Sequence, residues 1–344
     1  MVRKFFTLSL FASAISLHGA PDTLLIGGVG DIMIGTNYPA GHLPPDDGKF
    51  IFDPVKKYLQ QPDLMFGNAE GTFLDSGGQM KSCSDPSRCY AFRQPTRYAQ
   101  YLADAGFDVV STANNHVGDF GEDGRTSTCS TLSKVGLKFA GLVTKPYEIF
   151  TLNGVKYGFT AFAPNSGTQD VRDIEAAKKV VHMLDSACDI VIVSCHMGGE
   201  GATRNHVTKA TETFLGENRG NPYAFAHAVI DAGADIVFGH GPHVTRAIEL
   251  YKDRFIAYSM GNFCTYSRFN LKGNAGYAPI VHVKIDKANG KFLKGQIIPI
   301  KQPGEGGPVY DSAKQVITEM QTLTKADFPD TKVEILNDGT IRRK

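Results

Sequence analysis

Tryptophan is absent from the 344-residue sequence, and cysteine is scarce, with only six residues. No Cys-x-x-Cys pair occurs, which argues against a zinc knuckle. Neither sign of charge dominates, since 36 Lys and Arg accompany 35 Asp and Glu, and we expect no nucleic-acid partner. Internal repeats of fixed period and low-complexity tracts are also missing. With 42% hydrophobic and 21% charged residues, the chain is expected to fold around a substantial core.

Residues 1–20 have the pattern of a secretory signal peptide. Arg3 and Lys4 precede an apolar stretch of about 13 residues, and the small residue Ala20 ends the segment. The stretch is too short to span a bilayer comfortably. Pro21 disfavours cleavage directly after Ala20, so the cut lies elsewhere or the segment stays as an uncleaved membrane anchor. We therefore expect an exported protein, periplasmic or extracellular.

The even number of cysteines is compatible with disulfides in an exported chain. Cys83 and Cys89 enclose the turn-rich segment CSDPSRC, and we predict a local disulfide between them. Cys188 and Cys195 flank an apolar strand-like run, and we interpret them as buried thiols rather than a metal-binding pair.

Strand-like and helix-like segments alternate along most of the chain. Apolar runs such as 108–112 and 189–195 alternate with segments of helical spacing such as 96–106 and 174–187. This alternation predicts βαβ units and a layered α/β domain, which we assign to residues 21–300.

Turn residues between strand-like runs predict hairpins that add antiparallel strands to the sheet edges. They lie at 147–162, 247–259 and 278–300. The Gly- and Pro-rich segment 301–308 is the best linker candidate, and residues 301–344 are expected to form a C-terminal tail with a short hairpin.

Residues able to bind a metal follow six of the strand-like runs. They are Asp31, Asn68, Glu70, Asn114, Asn115, His116, His196, His240, His243 and Asn262. Taken singly, such an Asp is usually a cap or turn residue, and such a His is usually an ordinary surface or core residue. Ligands of α/β sheets lie beyond the carboxyl ends of the strands, so the set as a whole predicts one shared crevice. Carboxylates combined with imidazoles favour zinc, manganese or iron over calcium.

Six short segments together resemble a known family. In chain order they are GDIMIG, GNAEG, ANNHVGDFGEDG, CHMGGEG, GHGPHVTRAIELY and AYSMGNF, spread over residues 30–263. The set resembles the bacterial capsule-synthesis family (CapA/PgsA-like, poly-γ-glutamate capsule), which is itself similar to the calcineurin-like metallophosphoesterases. The resemblance implies a four-layered α/β/β/α sandwich of the metallo-dependent phosphatase-like class, with one or two divalent metal ions at one edge of its two sheets.

The resemblance also implies roles for individual residues. The implied metal ligands are Asp31, Glu70, Asn115, His196, His240 and His243, and the implied proton donor is His116. Met33 stands where phosphoesterases usually place a His, and its thioether is a poor ligand for a hard ion, which leaves one metal position weak or vacant. The segment GHGPH has His-x-x-His spacing where His-x-His is usual, so either His240 binds after a backbone shift or only His243 binds.

An anionic substrate requires further residues to hold it. The candidates are Asn68, Arg93, Arg125, Arg246 and Asn262. A guanidinium group matches carboxylate or phosphate in a two-pronged fashion, although the same arginines are equally consistent with solvated surface positions. Glu122 and Asp123 are either hydrogen-bond partners of His116 or part of the cap and first turn of the following helix.

Two functions of different class are compatible with these residues. The first is a metal-dependent hydrolase outside the cytoplasm that acts on a phosphoester or on an acidic envelope polymer such as poly-γ-glutamate. The second is a non-catalytic binding or scaffold component that works with other capsule-synthesis membrane proteins. The histidines at the strand ends favour the hydrolase, whereas Met33 favours the scaffold.

Overall fold

Two mixed β-sheets pack face to face in the computed structural model, which describes residues 23–83 and 89–344. Helices cover the outer surface of each sheet, so the predicted four-layered α/β/β/α sandwich is confirmed. The predicted signal peptide lies outside the described residues. Within the described ranges, none of the helices has the length and apolar character needed to cross a membrane.

The first half of the chain supplies the edge and centre of one sheet and the start of the other. Its elements are β1 (Thr23–Met33), α1 (Lys56–Leu59), β2 (Leu64–Ala69), β3 (Thr72–Phe73), β4 (Arg93–Gln94), α2 (Tyr98–Ala105), β5 (Val109–Ser111), α3 (Gly121–Lys134), β6 (Lys138–Ala140), β7 (Tyr147–Leu152) and β8 (Val155–Phe162). A 3-10 helix, Pro45–Gly48, precedes α1.

The second half completes both sheets. Its elements are α4 (Ile174–Ala187), β9 (Ile190–His196), β10 (Thr213–Phe214), β11 (Glu217–Asn218), α5 (Pro222–Asp231), β12 (Ile236–His240), β13 (Ile248–Tyr251), β14 (Arg254–Ala257), β15 (Asn262–Thr265), β16 (Tyr277–Asp286), β17 (Phe292–Lys301), β18 (Val309–Tyr310), α6 (Gln315–Asp327), β19 (Val333–Ile335) and β20 (Thr340–Arg343). A second 3-10 helix, Gly273–Gly276, precedes β16.

The strand order explains why both sheets contribute to one edge. The larger sheet runs β19-β20-β17-β16-β1-β2-β5-β6, with β15 beside β1 and β18 beside β17. The smaller sheet runs β13-β14-β12-β9-β8-β7. Strands β1, β2, β5 and β6 are parallel to one another, as are β8, β9, β12 and β14, so each sheet presents a row of carboxyl ends.

Strand β1 changes its partner in mid-course. From Thr23 to Val29 it pairs antiparallel with β16, and from Asp31 it pairs parallel with β15. A Cβ atom on Gly30 would lie 1.9 Å from the carbonyl oxygen of Gly261, so only glycine permits this approach. The switch brings Asp31 beside Asn262 of β15, while β2 places Asn68 on its other side.

Apolar side chains from both sheets form the central core. Phe66 of the larger sheet stacks on Phe238 of the smaller one, with ring centroids 5.2 Å apart. Helix α4 shows how an outer layer forms: Asp173 accepts a hydrogen bond from the Ala176 amide at its N-terminus, and Ala177, Val181 and Leu184 then recur on its buried face. Complete burial of one such Val or Leu side chain stabilises the fold by roughly 1.5–3 kcal/mol.

The predicted hairpins are all present. They are β7–β8, β13–β14, β16–β17 and the C-terminal β19–β20. The segment set apart as a tail also contains helix α6, which the sequence pattern did not predict, and its residues Val316 and Met320 are buried in the central core. The predicted disulfide between Cys83 and Cys89 is present, with Cα atoms 5.6 Å apart.

Arg246 occupies the interior of the protein and not a substrate-binding surface, which corrects the sequence-based expectation. Its side chain is 1% exposed, and its two terminal nitrogens donate to the carboxylate oxygens of Glu212 at 2.9 and 2.8 Å. Its Nε donates to the Arg204 carbonyl at 2.7 Å. A guanidinium that is buried and paired through all three nitrogens is not accessible to a ligand. The ion pair fastens the segment 199–219 to the smaller sheet.

Glu212→Gln is expected to lower the free energy of unfolding by about 3–5 kcal/mol, because Arg246 would keep a buried charge without its counter-ion. Urea denaturation measures the loss. The matched control is Glu334→Gln, which removes the exposed partner of Arg342 and should cost about 0–1 kcal/mol. A loss no larger than that of the control would contradict the structural role of the Arg246 pair.

Candidate metal centre

A carboxylate and two imidazoles converge where the two sheets meet. Glu70 follows β2, His196 ends β9, and His243 lies in the turn after β12. Glu70 Oε1 lies 3.6 Å from His196 Nε2 and 3.5 Å from His243 Nε2. One ligand atom from each of the three residues lies within 4.8 Å of the others, close enough to share one cation.

These side chains are buried without the partners that buried polar groups normally have. Both carboxylate oxygens of Glu70 and both ring nitrogens of His196 lack a hydrogen-bond partner within the described chain. Burial raises the pKa of Glu70 well above its usual value, and the nearby Asp31 charge raises it further. Burial also lowers the pKa of His196 well below its usual value, which keeps the ring neutral and able to act as a ligand.

Asp31 contacts His243 and also two neighbouring buried side chains, Asn68 and His240. Its Oδ1 accepts a hydrogen bond from the Asn68 amide at 2.8 Å and lies 3.2 Å from His240 Nδ1. Its Oδ2 lies 3.0 Å from His243 Nδ1. Burial alone would raise the pKa of Asp31, but the contacts with His240 and His243 outweigh it and hold this pKa well below its usual value. The carboxylate therefore stays charged and orients the two rings.

His243 links Asp31 to Glu70 through its two nitrogens. The residue has φ of 58°, in the left-handed region that residues with a side chain seldom adopt. This turn directs Nδ1 to Asp31 and to Asn262 Oδ1, 3.1 Å away, and leaves Nε2 towards Glu70. Burial lowers the pKa of His243, but the charges of Glu70 and Asp31 prevail and raise it to about 10. The two carboxylates thus attract positive charge to this point.

The residues present fit a divalent cation. A buried carboxylate and two imidazole nitrogens form a nitrogen and oxygen donor set that suits zinc, manganese or iron. The Oδ1 of Asn115, which lines the adjoining cavity with His243, lacks a partner within the described chain. The Asp31 contact to His243 is the outer hydrogen bond that typically fixes a metal-binding imidazole. His240 is fully buried beside Asp31, and its Nε2 also lacks a partner within the described chain.

His116 lies beside this group and has a partner of its own. Its Nδ1 lies 2.8 Å from Asp119 Oδ2, and its Nε2 lies 4.0 Å from Glu70 Oε1. Burial lowers the pKa of His116 below its usual value, and the opposing effect of the Asp119 charge does not cancel this shift. Asp119 in turn binds Lys81 Nζ at 2.6 Å and accepts from the Phe92 amide at 2.7 Å. The hydrogen bond to Asp119 leaves Nε2 directed towards the metal ligands.

Asp119 is the carboxylate that contacts His116, and Glu122 and Asp123 take the second of their two predicted places, the first turn of the following helix. Glu122 and Asp123 lie in the first turn of α3, whose N-cap is Phe120, and Glu122 bonds Arg125 at 3.3 Å. The sequence did contain a signal for this contact. A carboxylate three residues after a histidine can contact the imidazole when the backbone between them forms a turn. Asn114 secures that turn by accepting from the His116 amide and donating to the Ala69 carbonyl.

A cavity of about 870 Å³ adjoins the candidate metal centre, of whose three candidate ligands His243 lines the wall. His116, His243, Asn115 and Asn262 contribute to its wall. The two asparagines predicted to bind substrate differ in their access to the cavity. Asn262 lines the wall, and its side-chain amide donates to the His243 and Ala275 carbonyls. Asn68 is fully buried between Asp31 and Asn114. Asn68 is therefore placed to position Asp31 and not to contact a substrate.

The structure also corrects the expected cations. Arg93 donates to Asn37 Oδ1 and to the Gly77 carbonyl, and Arg125 donates to the Ser166 carbonyl. Neither is among the described residues that line the cavity. In the part of the chain that the structure describes, the Lys and Arg side chains that line it are Lys81, Arg219 and Arg268, none of which the sequence pattern singled out.

Met33 contributes no nitrogen or oxygen ligand to this centre. The residue ends β1 and is fully buried. The Met33 thioether takes the position where the resemblance implies an imidazole. The candidate ligand atoms are those of Glu70, His196 and His243.

Comparisons with known proteins give the family. The model for the bacterial capsule synthesis protein PGA_cap matches residues 26–267. The chain is 28% identical over 269 residues to the capsule biosynthesis protein CapA of Bacillus anthracis, covering 72% of this chain and 61% of that protein. It is 29% identical over 258 residues to the PGA biosynthesis protein CapA of Bacillus subtilis (strain 168), covering 70% and 63%. The chain thus spans less than two thirds of the length of these relatives.

A solved structure of a hypothetical protein from Thermus thermophilus has the same fold, with a TM-score of 0.50 at 15% identity, covering 81% of this chain and 100% of that one. Because the family model matches well over half of the sequence, the chain belongs to the bacterial capsule synthesis family PGA_cap.

Proposed function

We propose that the protein is an exported capsule-synthesis hydrolase that uses one or two divalent metal ions, manganese, zinc or iron. Its substrate is a phosphoester or an acidic envelope polymer such as poly-γ-glutamate. The observation that carries the proposal is the buried group Glu70, His196 and His243, whose ligand atoms face one another and, for Glu70 and His196, lack other partners within the described residues. Buried polar groups without partners are costly, and they mark functional sites when they line a cavity.

Each residue has a separate task in this proposal. Glu70, His196 and His243 would hold the first cation, with Asn115 on the cavity side and with His240 and Asp31 available to a second. A bound divalent cation supplies Lewis-acid chemistry, which polarises the attacked group and activates water. His116 transfers a proton through Nε2 to the leaving atom, an oxygen in a phosphoester or a nitrogen in a γ-glutamyl amide, and Asp119 fixes the ring and stabilises its protonated form.

Met33 supports a second candidate, a binding or scaffold component without turnover. A fully buried thioether at the end of β1 removes a ligand that the phosphoesterase resemblance implies there. Such a component would hold an anionic polymer for other capsule-synthesis membrane proteins. If residues 1–20 are not cleaved, they would hold the hydrolase or the scaffold at the membrane. If they are cleaved, the protein would be released outside the cytoplasm.

His196→Ala is expected to lower the affinity for zinc or manganese by more than the roughly 10- to 100-fold typical of losing an outer hydrogen-bond partner. The rise in melting temperature on adding metal should disappear with it, because the metal stabilises only the folded form. Metal content by mass spectrometry and thermal melts with and without metal measure both effects. His182→Ala, an exposed histidine on α4, is the control. Unchanged metal affinity in His196→Ala would rule out this ligand.

His116→Ala is expected to keep its metal and its fold but to lose roughly 10²- to 10⁴-fold in turnover of a generic phosphodiester or of poly-γ-glutamate. Asp119→Asn should fall between this variant and the parent, because it retains the shape of the partner but not the charge. Glu122→Gln is the matched control, since Glu122 lies in α3 and contacts Arg125.

The parent protein decides between the two candidate functions. Metal-stimulated cleavage that persists undiminished in His116→Ala would refute the proton-transfer step but not the hydrolase. No cleavage by the parent across several metals and substrates would favour the scaffold.

A further inference from the structure

Among residues 23–83 and 89–344, three Lys and Arg side chains line the cavity, and two of them are paired with carboxylates. Lys81 pairs with Asp119 at 2.6 Å. Arg219 pairs with Glu200 at 3.0 Å and with Glu217 at 3.2 Å. These contacts leave little of either charge for a ligand.

Arg268 is different from both. Within residues 23–83 and 89–344 no carboxylate forms an ion pair with it, and its Nε is buried without a hydrogen-bond partner. Its guanidinium lies over the ring of Tyr90, with the central carbon 5.2 Å from the ring centroid. Stacking on an aromatic face holds the guanidinium plane and leaves its N–H edges available.

The backbone around Arg268 is held in an uncommon conformation. Ser267 and Arg268 both have positive φ, 55° and 60°, which L-residues seldom adopt in succession. Hydrogen bonds fix the segment, since the Tyr266 amide donates to the Met33 carbonyl and the Ser267 amide donates to the Glu305 carbonyl. Backbone strain that the surroundings maintain is found most often at functional sites.

The same segment reaches the metal ligands. Phe269 follows Arg268 directly and lies edge-on to the His243 ring, with centroids 5.7 Å apart. Phe269 also stacks on Phe92, which packs on His116. Arg268 is thus fixed one residue away from an aromatic side chain that contacts the centre itself.

We propose that Arg268 is the substrate-specificity residue of the cavity and binds an anionic group, carboxylate or phosphate, at a distance from the bond that is cleaved. Cleavage of the bound molecule rests on the proposed function, whereas binding of the anion by Arg268 does not. A guanidinium held over the Tyr90 ring can form two parallel hydrogen bonds to either anion, which a flexible ammonium group cannot do. The neutralised Lys81 and Arg219 add no comparable site.

Calorimetric titration of the metal-loaded protein tests the inference with two probes, a γ-linked glutamate tetramer and inorganic phosphate. Arg268→Gln is expected to bind the preferred probe about 10- to 100-fold more weakly, the effect of losing a charge-assisted pair. Arg268→Lys should recover only part of the loss, because it restores the charge without the two-pronged geometry. Arg172→Gln is the matched control, an exposed arginine paired with Asp170 outside the cavity.

The probe whose binding falls identifies the source of the anion. Equal binding by the parent and Arg268→Gln, or a loss in Arg172→Gln as large as that in Arg268→Gln, would overturn the inference. Failure of the parent to bind either probe at millimolar concentration would overturn it as well. Weakened binding in Arg268→Gln without any cleavage by the parent would support the anion site while refuting the hydrolase. Melting temperatures of Arg268→Gln and Arg268→Lys equal to that of the parent show that the loss is local.

Discussion

The close backbone contact at Gly30 is the constraint on which the centre depends. Strand β1 can leave β16 and join β15 only because no Cβ atom separates Gly30 from the Gly261 carbonyl. The Asp31 amide then donates to that carbonyl at 2.9 Å, and the Asp31 carboxylate comes between Asn68 and the histidines of the smaller sheet. A contact of the main chain therefore determines where the Asp31 carboxylate lies, and the candidate ligand His243 contacts it from the smaller sheet.

The centre is stable although its polar atoms lack partners. A buried polar group without a hydrogen bond costs about 1–3 kcal/mol, and several such groups surround Glu70. The opposing contribution comes from the core between the sheets, where aromatic side chains such as Phe66 and Phe238 stack in complete burial. A rigid sandwich can hold Glu70 and His196 in place without satisfying them, which is the condition that a binding site requires.

The sequence predicted the layers, the hairpins and the convergence of Asp31, Glu70, His196 and His243, because strand and helix periodicity and strand ends are local patterns. Arg246 was misassigned because its partner Glu212 is 34 residues away in sequence, and no local pattern reveals an ion pair of that kind. Asp119 was missed because three acids follow His116 and only the path of the turn selects one of them. Helix α6 was missed although Val316, Met320 and Leu323 recur at helical spacing, since its many threonines weaken the helix signal.

A row of aromatic contacts connects His116 with His243. Phe92 packs on the His116 ring at 4.4 Å and stacks on Phe269 at 5.0 Å, and Phe269 in turn meets His243 at 5.7 Å. Phenylalanine has only two side-chain torsions, so such a row is rigid once it is packed. Aromatic packing contacts the ring faces and leaves the imidazole nitrogens free of hydrogen bonds to these phenylalanines. Apolar packing therefore fixes the faces of the two rings and leaves their Nε2 atoms directed towards Glu70.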